Sequence, residues 1–295
     1  MFIRYMTALA ILAALLVGCG GGGGSTLTVS AQNAGTLANQ TVLTSEFLLQ
    51  MSDFSEDFAD LLEDPETLAA LCQGGSASVA PVDVTPVGVL SAGDSITYTF
   101  NNCSFDVLGI PFIFNGSITI NVNTATGDET GPFEIELDTM MNNFTFGIGD
   151  ANIRVDGGYV ANVNSDGDTL VADVSGASLR AYFSAPNTAT ITSSWANFTH
   201  TRTLSLDDGS YTVDVDAAYY GSLIGGTITF ETLTTISGGS LESYPSVGTF
   251  KITGVDGSSV TVNVLDSINV ELLIDTDGDG TIDVTINTTW EELDS

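Results

Sequence analysis

From residue 74 onward, apolar and polar residues alternate with a period of two, in runs rich in Val, Ile, Thr, Phe and Tyr separated by Gly, Asp and Asn. Alternation puts successive side chains on opposite faces of a strand, so each run offers one face to a core and the other to solvent. The runs are 95–101, 111–123, 133–140, 143–148, 153–163, 169–174, 178–183, 188–206, 211–220, 227–236, 249–254, 259–265, 268–274 and 281–290. Asp166-Gly167-Asp168, Asp207-Asp208-Gly209 and Asp256-Gly257-Ser258 supply residues that tolerate the positive φ of hairpin turns. Tight turns between sequential strands, with no helices to carry crossovers, predict an all-β antiparallel meander over residues 74–295. One flat sheet of that many strands would leave exposed edges. It is therefore expected to curl into a barrel or half-barrel, or to divide into two packed sheets.

Residues 44–73 read differently. Phe47, Met51, Phe54, Phe58 and Leu61 recur at helical spacing, while Glu46, Asp53, Glu56, Asp57 and Asp60 lie elsewhere around the wheel. The pattern predicts one amphipathic helix with Ser45 as N-cap and Pro65 as its stop, followed by a further turn over 66–71. Its polar face has no Lys or Arg to meet a membrane surface, so the apolar stripe is expected to pack on the β body, covering an open face or mouth.

The first eighteen residues carry Arg4 and then an apolar run too short to span a bilayer, ending in Leu16-Val17-Gly18-Cys19. That is the pattern of a lipoprotein signal peptide (1–18), with cleavage ahead of Cys19 and acylation of its thiol. Two or three acyl chains anchor stably, because each buried methylene contributes about 0.8 kcal/mol. Residues 19–43, opening on the glycine run 20–24, are expected to form a flexible tether. Gly20 stands where Asp would favour inner-membrane retention, so the expected location is the outer membrane, reached through the lipid. With Cys19 lipidated, Cys72 and Cys103 remain as a pair in an oxidising compartment and are expected to form a disulfide. Closing a loop of ~30 residues stabilises by roughly 3–4 kcal/mol in the chain-entropy model. Two thiols and a single distant His make a zinc cage implausible.

Charge narrows the partners. The chain holds 37 acidic against 5 basic residues, a formal net charge of −32, which makes nucleic acid and anionic lipid surfaces poor partners and all but excludes polyanionic ligands. Such acidity suits a saline medium, where screening is short-ranged and divalent cations are available.

The sharpest motif is Asp275-Thr276-Asp277-Gly278-Asp279-Gly280-Thr281-Ile282-Asp283. Asp275, Asp277, Asp279, the Thr281 carbonyl and Asp283 occupy places one, three, five, seven and nine of a calcium loop of EF-hand or dockerin type, with Gly280 at the bend. Ile286 replaces the bidentate Glu at place twelve, so affinity for Ca2+ should be weaker, and any bound ion would be structural. The competing reading is an Asp/Gly-rich hairpin turn. Asn164, Asp166 and Asp168 repeat part of this spacing, but Thr169 replaces the Gly, and they read as a turn.

No residues here define catalysis. His200 is the sole histidine, and it shares strand parity with Ala196, Phe198, Leu204 and Arg202, which allows it to face inward, while a surface or hydrogen-bonded histidine is the expected case. No Gly-x-Ser-x-Gly elbow and no phosphate-cradling loop occur. A hydrolase working through two carboxylates is the least favoured reading.

Several segments resemble a group of uncharacterised acidic, β-rich lipoproteins of proteobacteria. They are Leu16-Val17-Gly18-Cys19, Cys72-Gln73-Gly74-Gly75, Phe100-Asn101-Asn102-Cys103, Asn115-Gly116-Ser117, Tyr244-Pro245-Ser246-Val247-Gly248, the 275–283 loop and Thr289-Trp290-Glu291-Glu292-Leu293. The resemblance implies fold and location, and no activity. The expected function is a non-enzymatic, lipid-anchored binding or structural module of the cell envelope. The alternative is a carrier whose curled sheet holds an apolar ligand against Phe112, Phe114, Phe144 and Phe146.

Overall fold

A computed structural model describes residues 27–60, 72–82, 91–107, 110–127, 131–148, 150–186, 188–239 and 244–293. Thirteen antiparallel strands form one sheet in strict sequence order. They are β1 (Gly74–Val82), β2 (Ser95–Val107), β3 (Ile110–Gly127), β4 (Phe133–Ile148), β5 (Ala151–Ser165), β6 (Thr169–Ser184) and β7 (Ile191–Ser205). Then follow β8 (Tyr211–Gly221), β9 (Gly226–Gly238), β10 (Val247–Gly254), β11 (Ser259–Val264), β12 (Asn269–Asp275) and β13 (Val284–Thr289). The meander is as expected, but β1 and β13 do not pair, so the sheet is neither a closed barrel nor two packed sheets.

One helix, α1 (Ala34–Asp60), packs against β3 to β7 and also against β12, which requires the sheet to curve around it. Between Ala34 and Met51 only Thr36 and Glu46 are exposed. Leu37, Leu48 and Met51 join the same buried cluster as Ile96, Ile118, Leu137, Val155, Leu179, Phe230, Ile252 and Leu272 from across the sheet. Burying each such side chain contributes about 1.5–3 kcal/mol. The opposite face of the sheet is polar and carries cross-strand pairs such as Thr97–Thr119 at 3.0 Å and Asn263–Glu271 at 3.0 Å.

The curvature has a local cause. Register shifts interrupt the ladders at Phe100/Cys103, Asn115/Ser117, Met141/Phe144, Gly158/Val160, Ala196/Thr199 and Val213/Asp216, so bulges recur from strand to strand. Each bulge bends its strand and raises the local twist. Asn102, Asn143 and Asn197 occupy three of them with φ near 49°, 47° and 49°, a left-handed conformation that Asn tolerates better than most residues. Asn102 and Asn143 are held alike: each donates its backbone N–H to the side chain thirteen residues on, Asn115 at 2.8 Å and Asp156 at 2.6 Å.

The helix begins earlier than Thr44, within the segment expected to be a flexible tether. Ser30 and Asn33 lead into it: the Ser30 carbonyl accepts the Ala34 N–H at 3.0 Å and the Asn33 carbonyl the Leu37 N–H at 2.9 Å, while the Asn33 side chain reaches back to accept the Ser30 N–H at 2.8 Å. Ser45, expected at the cap, lies mid-helix. Residues 34–43 are mostly small or polar, with Leu37, Val42 and Leu43 forming no legible stripe, so their helicity comes from burial of Ala34, Leu37, Ala38, Gln40 and Thr41 against the sheet. Phe47 and Met51 are buried as expected; Leu61, Pro65 and the turn at 66–71 lie outside the described residues. Trp290 opens a short second helix, α2 (Trp290–Leu293), and Gly35 of α1 sits so close to Leu293 that a Cβ there would be 3.0 Å from its Cδ2.

Cys72 and Cys103 form the disulfide, tying the residue pair before β1 to the β2 bulge. Cys19 and the signal segment lie outside the described residues, and no helix among the described residues is long and apolar enough to cross a membrane.

Candidate metal centre

The Asp-rich motif forms the connection between β12 and β13. Pairing of Ile274 with Val284 closes its neck, and the Asp283 N–H donates to the Ile274 carbonyl at 2.9 Å. Places one and nine are thus brought side by side by sheet pairing, without the flanking helices of an EF-hand. Ligand oxygens of Asp275, Asp277 and Asp283 lie within 4.8 Å of one another, so these three carboxylates are placed to hold a metal ion.

Asp275 is the buried member, 5% exposed. Its two oxygens accept the N–H groups of Gly278 at 2.7 Å and Gly280 at 2.8 Å. Asp283 accepts both the N–H of Thr276 at 2.9 Å and its hydroxyl at 2.5 Å, and these bonds hold its pKa below the usual carboxylate range. Asp277 accepts the Asp279 N–H at 3.2 Å. Asp279 itself turns to the Thr281 N–H at 2.7 Å and stays outside the triad, so three of the expected carboxylates converge and the fourth does not. Ile286, at place twelve, is already in β13.

The loop rests on the β10–β11 turn. Gly278 adopts φ 76°, and a Cβ there would fall 2.8 Å from the Gly257 carbonyl carbon, so only glycine permits this approach. The same turn holds the start of the described chain: Thr28 donates to Asp256 at 2.5 Å, and the Val29 N–H donates to Ser258 at 2.7 Å. The candidate centre therefore stands beside the first described residues.

Other candidates separate clearly from it. Asp166 accepts the N–H groups of Asp168 and Thr169 at 3.0 and 2.8 Å, which is a turn, as expected. His200 faces inward and is 1% exposed; its Nε2 meets Ser45 Oγ at 3.1 Å and its Nδ1 has no partner among the described residues. Burial first, and then Arg202, push its pKa down to about 4. A Ser–His pair suggests nucleophilic chemistry, but Ser45 sits inside α1, where helix bonding occupies the backbone N–H groups an oxyanion would need. The pair pins helix to sheet, as do Tyr159, donating to the Met51 carbonyl at 2.7 Å, and the stacked rings of Phe47 and Trp195 at 4.6 Å.

Phe112, Phe114, Phe144 and Phe146 are all buried, with Phe114–Phe144 and Phe144–Phe146 ring centroids 5.8 and 6.3 Å apart, so they pack on one another. A cavity of about 60 Å³ lies elsewhere, between α1 and β8 to β10, walled by Val42, Val213, Val215, Phe230, Ile236 and Phe250. Glu46 lines it, and the apolar surroundings raise its pKa, with Arg202 acting the other way. No family model matches the chain, and no curated protein or solved structure matches it either.

Proposed function

We propose that this protein is a non-enzymatic module of the bacterial cell envelope, anchored through lipid on Cys19 to the outer membrane and braced by a calcium ion at Asp275, Asp277 and Asp283. The observation that carries the reading is the position of the triad. Three hard oxygen ligands meet beside the turn that grips Thr28 and Val29, within the segment read as the tether. An ion there would draw together β12, β13 and the entry of the chain, stiffening the joint between body and anchor. Calcium suits a set of carboxylates completed by backbone carbonyls and water, with an affinity lowered by the missing bidentate Glu.

Thermal unfolding tests the ion. Millimolar calcium is expected to raise the midpoint, a chelator to reverse the rise, and Asp277→Asn to abolish it. No shift in the wild type sinks this part of the reading. For the anchor, mass spectrometry of protein from its native membrane should find acyl chains on an N-terminal Cys19. An intact Met1 without acyl mass rules the anchor out.

The cavity between α1 and β8 to β10 bears on a second reading, a carrier of an apolar ligand, and its size counts against it. At about 60 Å³ it suits a group of a few heavy atoms and lies well below the several hundred Å³ of drug-sized sites.

A further inference from the structure

In a chain with 5 basic residues, Arg154 and Arg180 sit on adjacent strands of the polar face. The register places them exactly once in two neighbouring rows. One row runs Asp156 (β5), Arg180 (β6), Ser194 (β7), Tyr220 (β8) and Thr227 (β9). The next pairs Arg154 with Tyr182 and Tyr182 with Thr192. Their sequence neighbours Val155, Leu179, Trp195 and Tyr219 are buried, so these side chains all face outward.

The groups are arranged, not scattered. Arg154 stacks its guanidinium 4.0 Å from the Tyr182 ring centroid and binds Asp156 at 3.0 Å. Asp156 is in turn held by the Asn143 N–H in the β4 bulge. That fixes one arginine and its aromatic partner. Arg180 is exposed and has no ion pair among the described residues. Asp156 is the one carboxylate in these two rows, so the patch is locally cationic.

We propose that this patch binds an acidic glycan, a chain of sugars bearing carboxylate or sulfate groups. Arg180 supplies a free planar fork for the anion. Tyr220 stands two strands away, about 10 Å, a distance that a disaccharide spans. An aromatic ring on the outer face of the sheet offers a surface for the C–H face of a sugar, while Ser194 and Thr192 on β7 offer hydroxyls between and Thr227 on β9 offers one beyond. The net charge of the whole chain repels polyanions at long range, but near physiological salt repulsion is screened beyond about 8 Å and the local charge decides. A sparsely charged glycan fits this balance better than densely charged nucleic acid. The patch lies on β5 to β8, apart from the triad, so the assignment needs neither the ion nor the lipid.

Calorimetry on the mature protein in detergent at about 0.15 M salt tests it. The probes are a galacturonate hexasaccharide, a sulfated galactan hexasaccharide, neutral maltohexaose and hexaglutamate. One or both acidic sugars should bind, and which one does identifies the anion; chelator should not alter it. Arg180→Gln should weaken binding by about tenfold or more, since it removes the cationic fork that pairs with the anion. Tyr220→Ala should weaken it too, and Lys251→Gln on β10 should not. The assignment is overturned if neither acidic sugar binds, if maltohexaose or hexaglutamate binds equally well, or if Arg180→Gln has no effect.

Discussion

The imidazole of His200 is closed between β7 and Ser45 of α1, with Arg202 on its own strand and Asp173 on β6 as its charged neighbours. A charge there meets little water and a like-charged neighbour, so the folded protein keeps the ring neutral down to about pH 4, while the unfolded chain protonates it near 6.5. Between those values the unfolded state binds more protons. His200 therefore contributes stability that is complete above 6.5 and is lost as pH falls toward 4, in total roughly 3 kcal/mol. Glu46 works in the opposite sense, because its raised pKa makes stability fall as pH rises through it. Denaturant unfolding of the wild type against His200→Gln isolates the histidine: the difference should shrink the acid-side slope, and an unchanged slope would refute the assignment. Asp275 allows a second prediction. Asp275→Ala leaves the Gly278 and Gly280 N–H groups without their carboxylate and should cost about 1–3 kcal/mol even without calcium. Exposed Asp277→Asn should leave calcium-free stability nearly unchanged. The spacing of the aspartates was legible in the sequence, but not that Asp279 turns away to Thr281, since that depends on the loop backbone. Nor was Ser45 readable as the partner of His200, because the two meet only through the packing of α1.

The elements carry a different lesson about legibility. Period-two alternation located strands β2 to β13, and the three Asp/Gly turns fall between β5 and β6, β7 and β8, and β10 and β11, as predicted. Where alternation failed, a bulge was the reason. Residues 133–140 and 143–148 looked like separate strands because the bulge at Asn142 and Asn143 flips the parity inside the single strand β4. Residues 169–174 and 178–183 are likewise one strand, β6, interrupted in pattern at Gly176, where the Phe198 ring lies so close that a Cβ would be 2.5 Å from its Cζ. Strand β1 escaped notice because Gly74-Gly75-Ser76-Ala77 has little hydrophobic signal. The bulges can be tested directly. Asn143→Gly should be nearly neutral, since glycine adopts φ 47° freely, whereas Asn143→Val should cost about 1–2 kcal/mol, because a β-branched side chain resists that conformation. Equal midpoints for the two variants in urea would show that the bulge does not constrain the strand.

At the scale of the whole molecule, a net charge of −32 must be held together by one apolar face and the helix that fills its curve. Self-repulsion among exposed carboxylates opposes that compaction and decays over the screening length, about 30 Å at 0.01 M salt and 3 Å at 1 M. Sodium chloride should therefore raise the unfolding midpoint steadily across this range, in the wild type and in Asp277→Asn alike, because screening does not depend on any one site. Calcium should act differently. A few millimolar adds little ionic strength, so screening alone predicts a small rise, whereas a site holding the ion only in the folded state adds a saturable rise on top. The two contributions separate in one experiment: the midpoint followed against calcium at fixed sodium chloride, in wild type and in Asp277→Asn. A saturating rise confined to the wild type assigns calcium to the β12–β13 joint. Identical curves for both proteins would mean that calcium merely screens, and that the carboxylates of Asp275, Asp277 and Asp283 are held together by their own hydrogen bonds.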